Sequence, residues 1–179
     1  MSGPGDHDLM ARVARGDRQA FRLLSQRHVR AALALARRIS GNDAGAEEIV
    51  QEAFLRVWIH APRWRPEAAF RTWLYRIVIN LTLNERRRPS GLPLAAAGDS
   101  PDPAPGPDVA LAARERDRLV SAAIEALPPR QRAAIVLTYH DGLSNAETAE
   151  VLDTSLSSVE TLLVRAKRTL RAALAAYRT

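Results

Sequence analysis

Cysteine is absent from the 179 residues, which excludes disulfides, thiolate metal sites and thiol chemistry, and fits a reducing compartment. Lysine is nearly absent: 25 of the 26 basic residues are arginine, a bias that a GC-rich genome produces by itself. Aromatic residues make up only 5% of the chain, and the four histidines (His7, His28, His60, His140) stand singly, with no ligand spacing. No metal and no cofactor are therefore expected. The N-terminus has no apolar run following positive charge, so no secretory signal is read there. The remaining apolar runs are short and interrupted by arginine, too short to span a bilayer. These absences predict a soluble, cytoplasmic protein without membrane insertion, and no constellation supports an enzyme.

What the chain does have is positive charge, unevenly placed. Net charge is +6 and the sequence pI is near 10.8, a balance that suggests a polyanionic partner. Residues 1–88 carry 16 basic and 9 acidic side chains, and residues 114–179 carry 10 and 8. Between them, residues 89–113 hold three aspartates, no arginine, and six of the eleven prolines. With no apolar period, that segment predicts an extended, acidic, Pro-rich linker. It divides the chain into two all-α domains, 6–88 and 114–179, each too small for more than marginal stability alone. Flexible joining would let them tumble independently.

Past a loose tip (1–5), Asp6 or Asp8 caps a helix to about Arg15, which Gly16-Asp17 breaks. A second helix, near Gln19 to Ser40, buries Phe21, Leu24, Val29, Leu33 and Leu35 or a shifted version of that set, and Gly41-Asn42 ends it. Asp43 opens a third, with Glu47, Glu48 and Glu52 in its first turns, where the helix dipole favours negative charge. Capping alone explains that acidic entry, and so does a docking face for a basic partner. Val50, Phe54, Val57 and Trp58 follow at helical spacing.

The stretch Phe70 to Arg88, FRTWLYRIVINLTLNERRR, dominates the first domain. Phe70, Trp73, Leu74, Ile77, Val78 and Leu81 recur at spacings of three and four, giving an apolar stripe. Thr72, Arg76, Asn80, Asn84 and Arg88 fall four apart as a polar ridge, flanked by Arg71, Arg86 and Arg87. Arginine neutralises phosphate, asparagine reads base edges, and Trp73 and Tyr75 can stack on bases. An ordinary amphipathic helix with a solvated basic face has the same pattern. Just upstream, Trp64 sits between Arg63 and Arg65 in a loop bounded by Pro62 and Pro66. That tryptophan suits a base-stacking role or a core anchor equally well.

In the second domain a helix is expected around Arg114 to Ala126, with Leu119, Val120 and Ile124 inward. Leu127-Pro128-Pro129 ends it and opens another that stops at Asp141-Gly142. Ser144 stands three before Glu147, and Ser157 three before Glu160, two capping boxes opening a short helix and a long one to about Tyr177. A short helix, a tight turn and a longer, basic helix form a helix-turn-helix pattern. Its first turn offers Ser157, Ser158, Glu160 and Thr161 to base edges, and Arg165, Lys167, Arg168 and Arg171 follow.

With both halves in view, the chain resembles the extracytoplasmic-function (ECF) sigma factors, the two-domain promoter-specificity subunits of bacterial RNA polymerase. EEIVQEAFLRVW (Glu47 to Trp58) is similar to the family's polymerase-binding helix, and the Phe70–Arg88 stretch to its −10 reading and strand-opening helix. LPPRQRAAIVLTYHDGLSNAETAEVLDTSLSSVETLLVRAKRTLR (Leu127 to Arg171) is similar to its −35 reading domain, from the L-P-x-x-x-R opening to the V-R-A-K ending. The resemblance implies that Glu48, Gln51, Glu52, Phe54, Arg56 and Trp58 pack on a coiled coil of the polymerase clamp, with an exposed aromatic. It implies a specificity loop over Arg63 to Ala68 that captures a base flipped from the −10 element, with Trp64, Arg65, Tyr75, Arg76 and Asn80 as its partners. Around that loop, Arg71, Thr72, Trp73, Asn84, Arg86, Arg87 and Arg88 would complete the −10 face. Ser155, Ser157, Ser158, Glu160, Thr161, Arg165, Lys167 and Arg168 would divide base and phosphate contacts at −35. The implied partners are core RNA polymerase, promoter DNA and a separate anti-sigma protein gripping both domains, the free chain being a monomer. The acidic linker would thread the enzyme's RNA and template path.

Several positions depart from the family pattern. Trp64 and Pro66 stand where phenylalanine and glycine are frequent, Leu162 where a basic residue is, and Leu156-Ser157 where glycine or a second proline is. They bear on which base and which −35 sequence are read. Two other functions share parts of the pattern. A decoy that titrates an anti-sigma protein would not need the basic −10 ridge. A ligand-responsive dimeric repressor would need an effector pocket and a dimer seam, and would bind palindromic DNA without polymerase.

Overall fold

Gly16, Gly41 and Gly142 all adopt positive φ, and each stands where one helix must hand over to the next. The computed structural model describes residues 4–85 and 107–175, with side chains over 4–84 and 115–175. Helix α1 (Asp6–Val13) starts after Gly5, whose N–H donates to the Asp8 carboxylate at 3.3 Å. Helix α2 (Arg18–Ser40) is capped by Asp17, which accepts from the N–H groups of Gln19 and Ala20 at 2.9 and 3.0 Å. The Ala20 bond, then the Arg12 guanidinium beside it, holds the Asp17 carboxyl below its ordinary range. Gly41, at φ +69°, ends α2, and Asn42 caps α3 (Asp43–His60) by accepting from Ala44 N–H at 3.1 Å.

The core of this half follows the shifted version of the expected α2 stripe. Ala20, Leu24, Ala32, Leu35, Ala36 and Ile39 are buried, while Val29 stays 37% exposed. Alanines lie on the inner face because they let α2 approach α1, α3 and the next helix closely. Phe21 collects the two aromatics of α3, with ring centroids 6.3 Å from Phe54 and 5.2 Å from Trp58. The exposed aromatic expected on α3 is therefore not there. Phe54 is buried and Trp58 half-buried, and the apolar residues that α3 exposes are Leu55 and Ile59.

A short 3₁₀ turn (Ala61–Arg63) and the Trp64–Ala69 loop lead into α4 (Phe70–Glu85). This helix buries two stripes. Phe70, Leu74 and Val78 belong to the expected one, and Thr72, Tyr75, Ile79 and Thr82 form a second at the same three-and-four spacing. Two stripes require neighbours on more than one side, and α4 packs on α2 and α3 and also on α7 (Asn145–Leu152) of the second half.

Helix α5 (Pro107–Glu125) begins before the Arg114 start expected, because proline is tolerated in a first turn and the alanines after it favour helix. Helix α6 (Pro129–Ile135) runs on as a π-helical turn over Val136–His140, in which Asp141 N–H reaches the Val136 carbonyl at 3.0 Å. The Ser144–Glu147 capping box opens α7 as expected. Asp153 makes the turn at φ +50°, and α8 (Leu156–Ala175) follows. Its cap is Ser155 rather than Ser157: the Ser155 Oγ accepts from Ser158 N–H at 3.2 Å, because the turn leads straight into helix. Tyr177 lies outside the described residues, as does most of the expected linker.

The two halves are packed together rather than standing apart. They share one continuous buried core, since an isolated α4 would expose its second stripe to water. Arg132, 2% exposed, fastens the join. Its guanidinium donates to the Ile39 carbonyl at 3.0 Å, to Ile124 at 3.2 Å and to Leu127 at 3.4 Å. Ile39 and Ile124 sit in the last turns of α2 and α5, where carbonyls lack helical partners and the dipole is negative. A buried charge is tolerated there because its donors are used. The described elements are all helices, the all-α class expected.

Candidate nucleic-acid interface

Between the end of α3, the Trp64 loop and α4 lies a cavity of about 460 Å³ whose lining includes Arg56, His60, Arg63, Trp64, Trp73 and Asn80. Trp64 is half-buried, its ring 6.4 Å from that of Trp73 and 5.3 Å from that of His7. It is thus a core anchor and a cavity wall at once. Arg65 and Glu67 also line the cavity, and both are exposed. Arg56, expected on the docking face, opens into this cavity while holding Glu52 at 2.7 Å. His60 was not among the expected site residues, and Arg63 and Glu67 were expected only as members of the loop. The legible signal was the four-residue step Glu52, Arg56, His60, which puts one face of α3 beside the loop.

Along α4 the ridge divides. Arg71, Arg76, Asn80 and Asn84 are exposed and Trp73 is half-buried, whereas Thr72 and Tyr75 are buried. Arg86, Arg87 and Arg88 lie outside the described residues. Acidic groups of the second half stand opposite this helix. Arg76 pairs with Asp153 at 2.9 Å. Burial, then the Asp141 carboxylate, pushes the Tyr75 hydroxyl above its ordinary pKa, and the Arg71 guanidinium lies 5.8 Å over the Tyr75 ring. Glu147 is held below its ordinary range by the Ser144 N–H and hydroxyl, with Arg71 adding to the effect. Each exposed pair contributes little by itself. Together they place carboxylates of the second half beside the arginines of α4.

The helix-turn-helix face is open. Ser155, Ser157, Glu160, Thr161, Arg165, Lys167 and Arg168 are exposed and Ser158 is half-buried. Ser155 Oγ lies 3.1 and 2.8 Å from the Ser157 and Ser158 hydroxyls, and Thr161 Oγ1 donates to the Ser157 carbonyl at 2.9 Å. Lys167 Nζ sits 4.8 Å over the Tyr139 ring. Val164, 67% exposed on the same helix, is an apolar surface that charge-based reading passes over. On α3, Glu48 and Gln51 are exposed beside half-buried Glu52. Among the described residues no acidic or histidine group forms a metal cluster, and no helix is long and apolar enough to cross a membrane.

A basic helical half with an arginine-framed cavity, joined to a helix-turn-helix half, defines a sigma-type transcription factor. Residues 24–90 match Sigma-70 region 2 and residues 117–170 match Sigma-70, region 4. Over 174 residues the chain is 34% identical to the ECF RNA polymerase sigma-E factor of Haemophilus influenzae, covering 90% of this chain and 91% of that one. Identity to the Escherichia coli K12 protein of the same name is 32%, with 90% of each covered. The chain belongs to the ECF sigma factors: it is an alternative sigma factor directing transcription initiation, a DNA-binding regulator. The structure of CnrH in complex with the cytosolic domain of CnrY is similar at a TM-score of 0.71 and 30% identity, over 96% of this chain and 97% of that one. The sigma factor RpoE of Bartonella quintana, solved with the anti-sigma factor NepR, has the same fold at a TM-score of 0.67 and 20% identity, over 86% of this chain and 96% of that one.

Proposed function

We propose that this chain binds core RNA polymerase in the cytoplasm and supplies two readings of promoter DNA while the polymerase supplies the chemistry. Duplex at −35 meets the exposed first turns of α8, with Ser157, Glu160 and Thr161 toward base edges and Arg165 and Arg168 toward phosphates. Melted strand at −10 meets α4, and one flipped base enters the cavity beside Trp64 and Asn80. That cavity carries the reading. It combines an aromatic wall, an amide and three arginines (Arg56, Arg63, Arg65), the set that stacks a base, recognises its edge and neutralises its phosphates. Docking on polymerase is assigned to the exposed side of α3, Glu48, Gln51 and Glu52 with Leu55 and Ile59 beside them. A separate anti-sigma protein is the regulator this reading expects, in keeping with a relative solved together with a second protein.

The test is co-migration of the purified chain with bacterial core RNA polymerase, followed by transcription from a promoter library. A complex that yields start-site-specific transcripts is the expected result. A complex without transcripts would favour the decoy function, and tight DNA binding without polymerase would favour the repressor.

A further inference from the structure

The cavity wall is supported from an unexpected direction. Leu9, Met10 and Val13 anchor α1 in the core, and the Asp6 carboxylate joins Arg27 and, at 2.7 Å, His28 Nε2 on α2. From there a ring of side chains closes on itself. His28 packs on Phe70 at 4.9 Å, Phe70 on Trp73 at 6.1 Å, Trp73 on Trp64 at 6.4 Å, and Trp64 on His7, the residue next to Asp6, at 5.3 Å. The His7 and Trp64 planes stand at 71°, an edge-to-face contact. Trp73 and His7 therefore hold the indole from two elements, while the Trp64 N–H donates to the Ala61 carbonyl at 3.2 Å. His7 is exposed and makes no other ring contact among the described residues.

We propose that His7 is a positioning residue for base capture: from the first turn of α1 it braces the Trp64 indole as the wall of the −10 cavity. This rests on the cavity being the base-receiving site. A braced wall discriminates among bases because the indole need not be ordered when the base arrives. A loose one still stacks but selects less.

Two measurements on the full chain test it. In free protein labelled with 5-fluorotryptophan, each of the three indoles gives one ¹⁹F signal, assigned by single Trp→Phe changes. His7→Ala should move the Trp64 signal and leave that of Trp58, which packs on Phe21, in place. In holoenzyme on forked promoter DNA randomised across the −10 single strand, His7→Ala should flatten base preference at the captured position by about 2- to 10-fold, the range of one edge-to-face contact. Affinity for core polymerase should be unchanged, and His7→Phe, which keeps the edge contact, should restore both signal and preference. If Trp64→Ala flattens the preference while His7→Ala changes neither readout, the role of His7 is overturned and base capture stands. A His7→Phe chain that behaves like His7→Ala overturns it as well. If Trp64→Ala itself leaves the preference intact, base capture at this cavity fails and the inference falls with it.

Discussion

Asn80 and Trp64 reach the same cavity from a helix and from a loop, Asn80 exposed and Trp64 half-buried. Asn80→Ala or Trp64→Ala should therefore abolish promoter opening, at about 1–3 kcal/mol per lost base contact, while leaving polymerase binding intact. Polymerase pull-down beside permanganate footprinting of the melted strand separates the two, and lost polymerase binding would count against these roles. Tyr75 behaves differently because it is buried. Its raised pKa means that folding favours the neutral phenol. That contribution is whole below the ordinary tyrosine value of 10.0 and is lost as pH rises through the raised value. Tyr75→Phe should keep the chain helical to higher pH than the parent, followed by circular dichroism. Unchanged alkaline melting would show that the hydroxyl is not held as the structure has it.

At the level of elements, the capping chemistry was readable at α7 but not at α8, where Ser155 takes the place expected of Ser157, and the packing partners were not readable. Ser144 and Glu147 announce α7 through a spacing that needs no knowledge of the rest of the chain. Ser144→Ala should cost about 1 kcal/mol in chemical denaturation. The lowered Glu147 carboxyl contributes stability above the ordinary carboxylate range, lost as pH falls through its lowered value, so Glu147→Gln should blunt acid unfolding. On α4 the first stripe was evident from large apolar residues. The second escaped notice because Thr72, Tyr75 and Thr82 are polar by type, and only a neighbour distant in sequence buries them. On α3, Phe54 and Trp58 suggested an exposed aromatic, yet local spacing cannot say that Phe21 waits to cover them. Glu52 remains on the docking side, half-exposed. Glu52→Arg should weaken polymerase binding and also repel Arg56, and an unchanged affinity by titration calorimetry would sink that docking assignment.

The whole molecule adds what neither half contains. Arg132 donates to carbonyls of both halves, Asp153 pairs with Arg76, and Asp141 and Glu147 stand near Tyr75 and Arg71. Truncating Arg132 to alanine strands buried carbonyls and should cost at least about 2 kcal/mol. If α4 engages melted strand as proposed, the second half has to move away from Thr72 and Tyr75, which it helps to bury. Because the natural chain has no cysteine, Glu67→Cys with Thr161→Cys gives a clean pair for spin labels. The distance between them should be narrowly distributed in the free chain and should change on polymerase with promoter DNA. An unaltered distance would rule out that separation.

The second stripe of α4 also decides how the molecule comes apart under heat. A helix whose opposite sides belong to the cores of two halves cannot melt with one and survive with the other. The chain should therefore show a single calorimetric peak, its enthalpy scaling with all the ordered residues at about 0.7 kcal/mol per residue, rather than two small peaks of separate domains. The contacts that protect the chain from unfolding would then also be the ones that oppose any parting of its two halves.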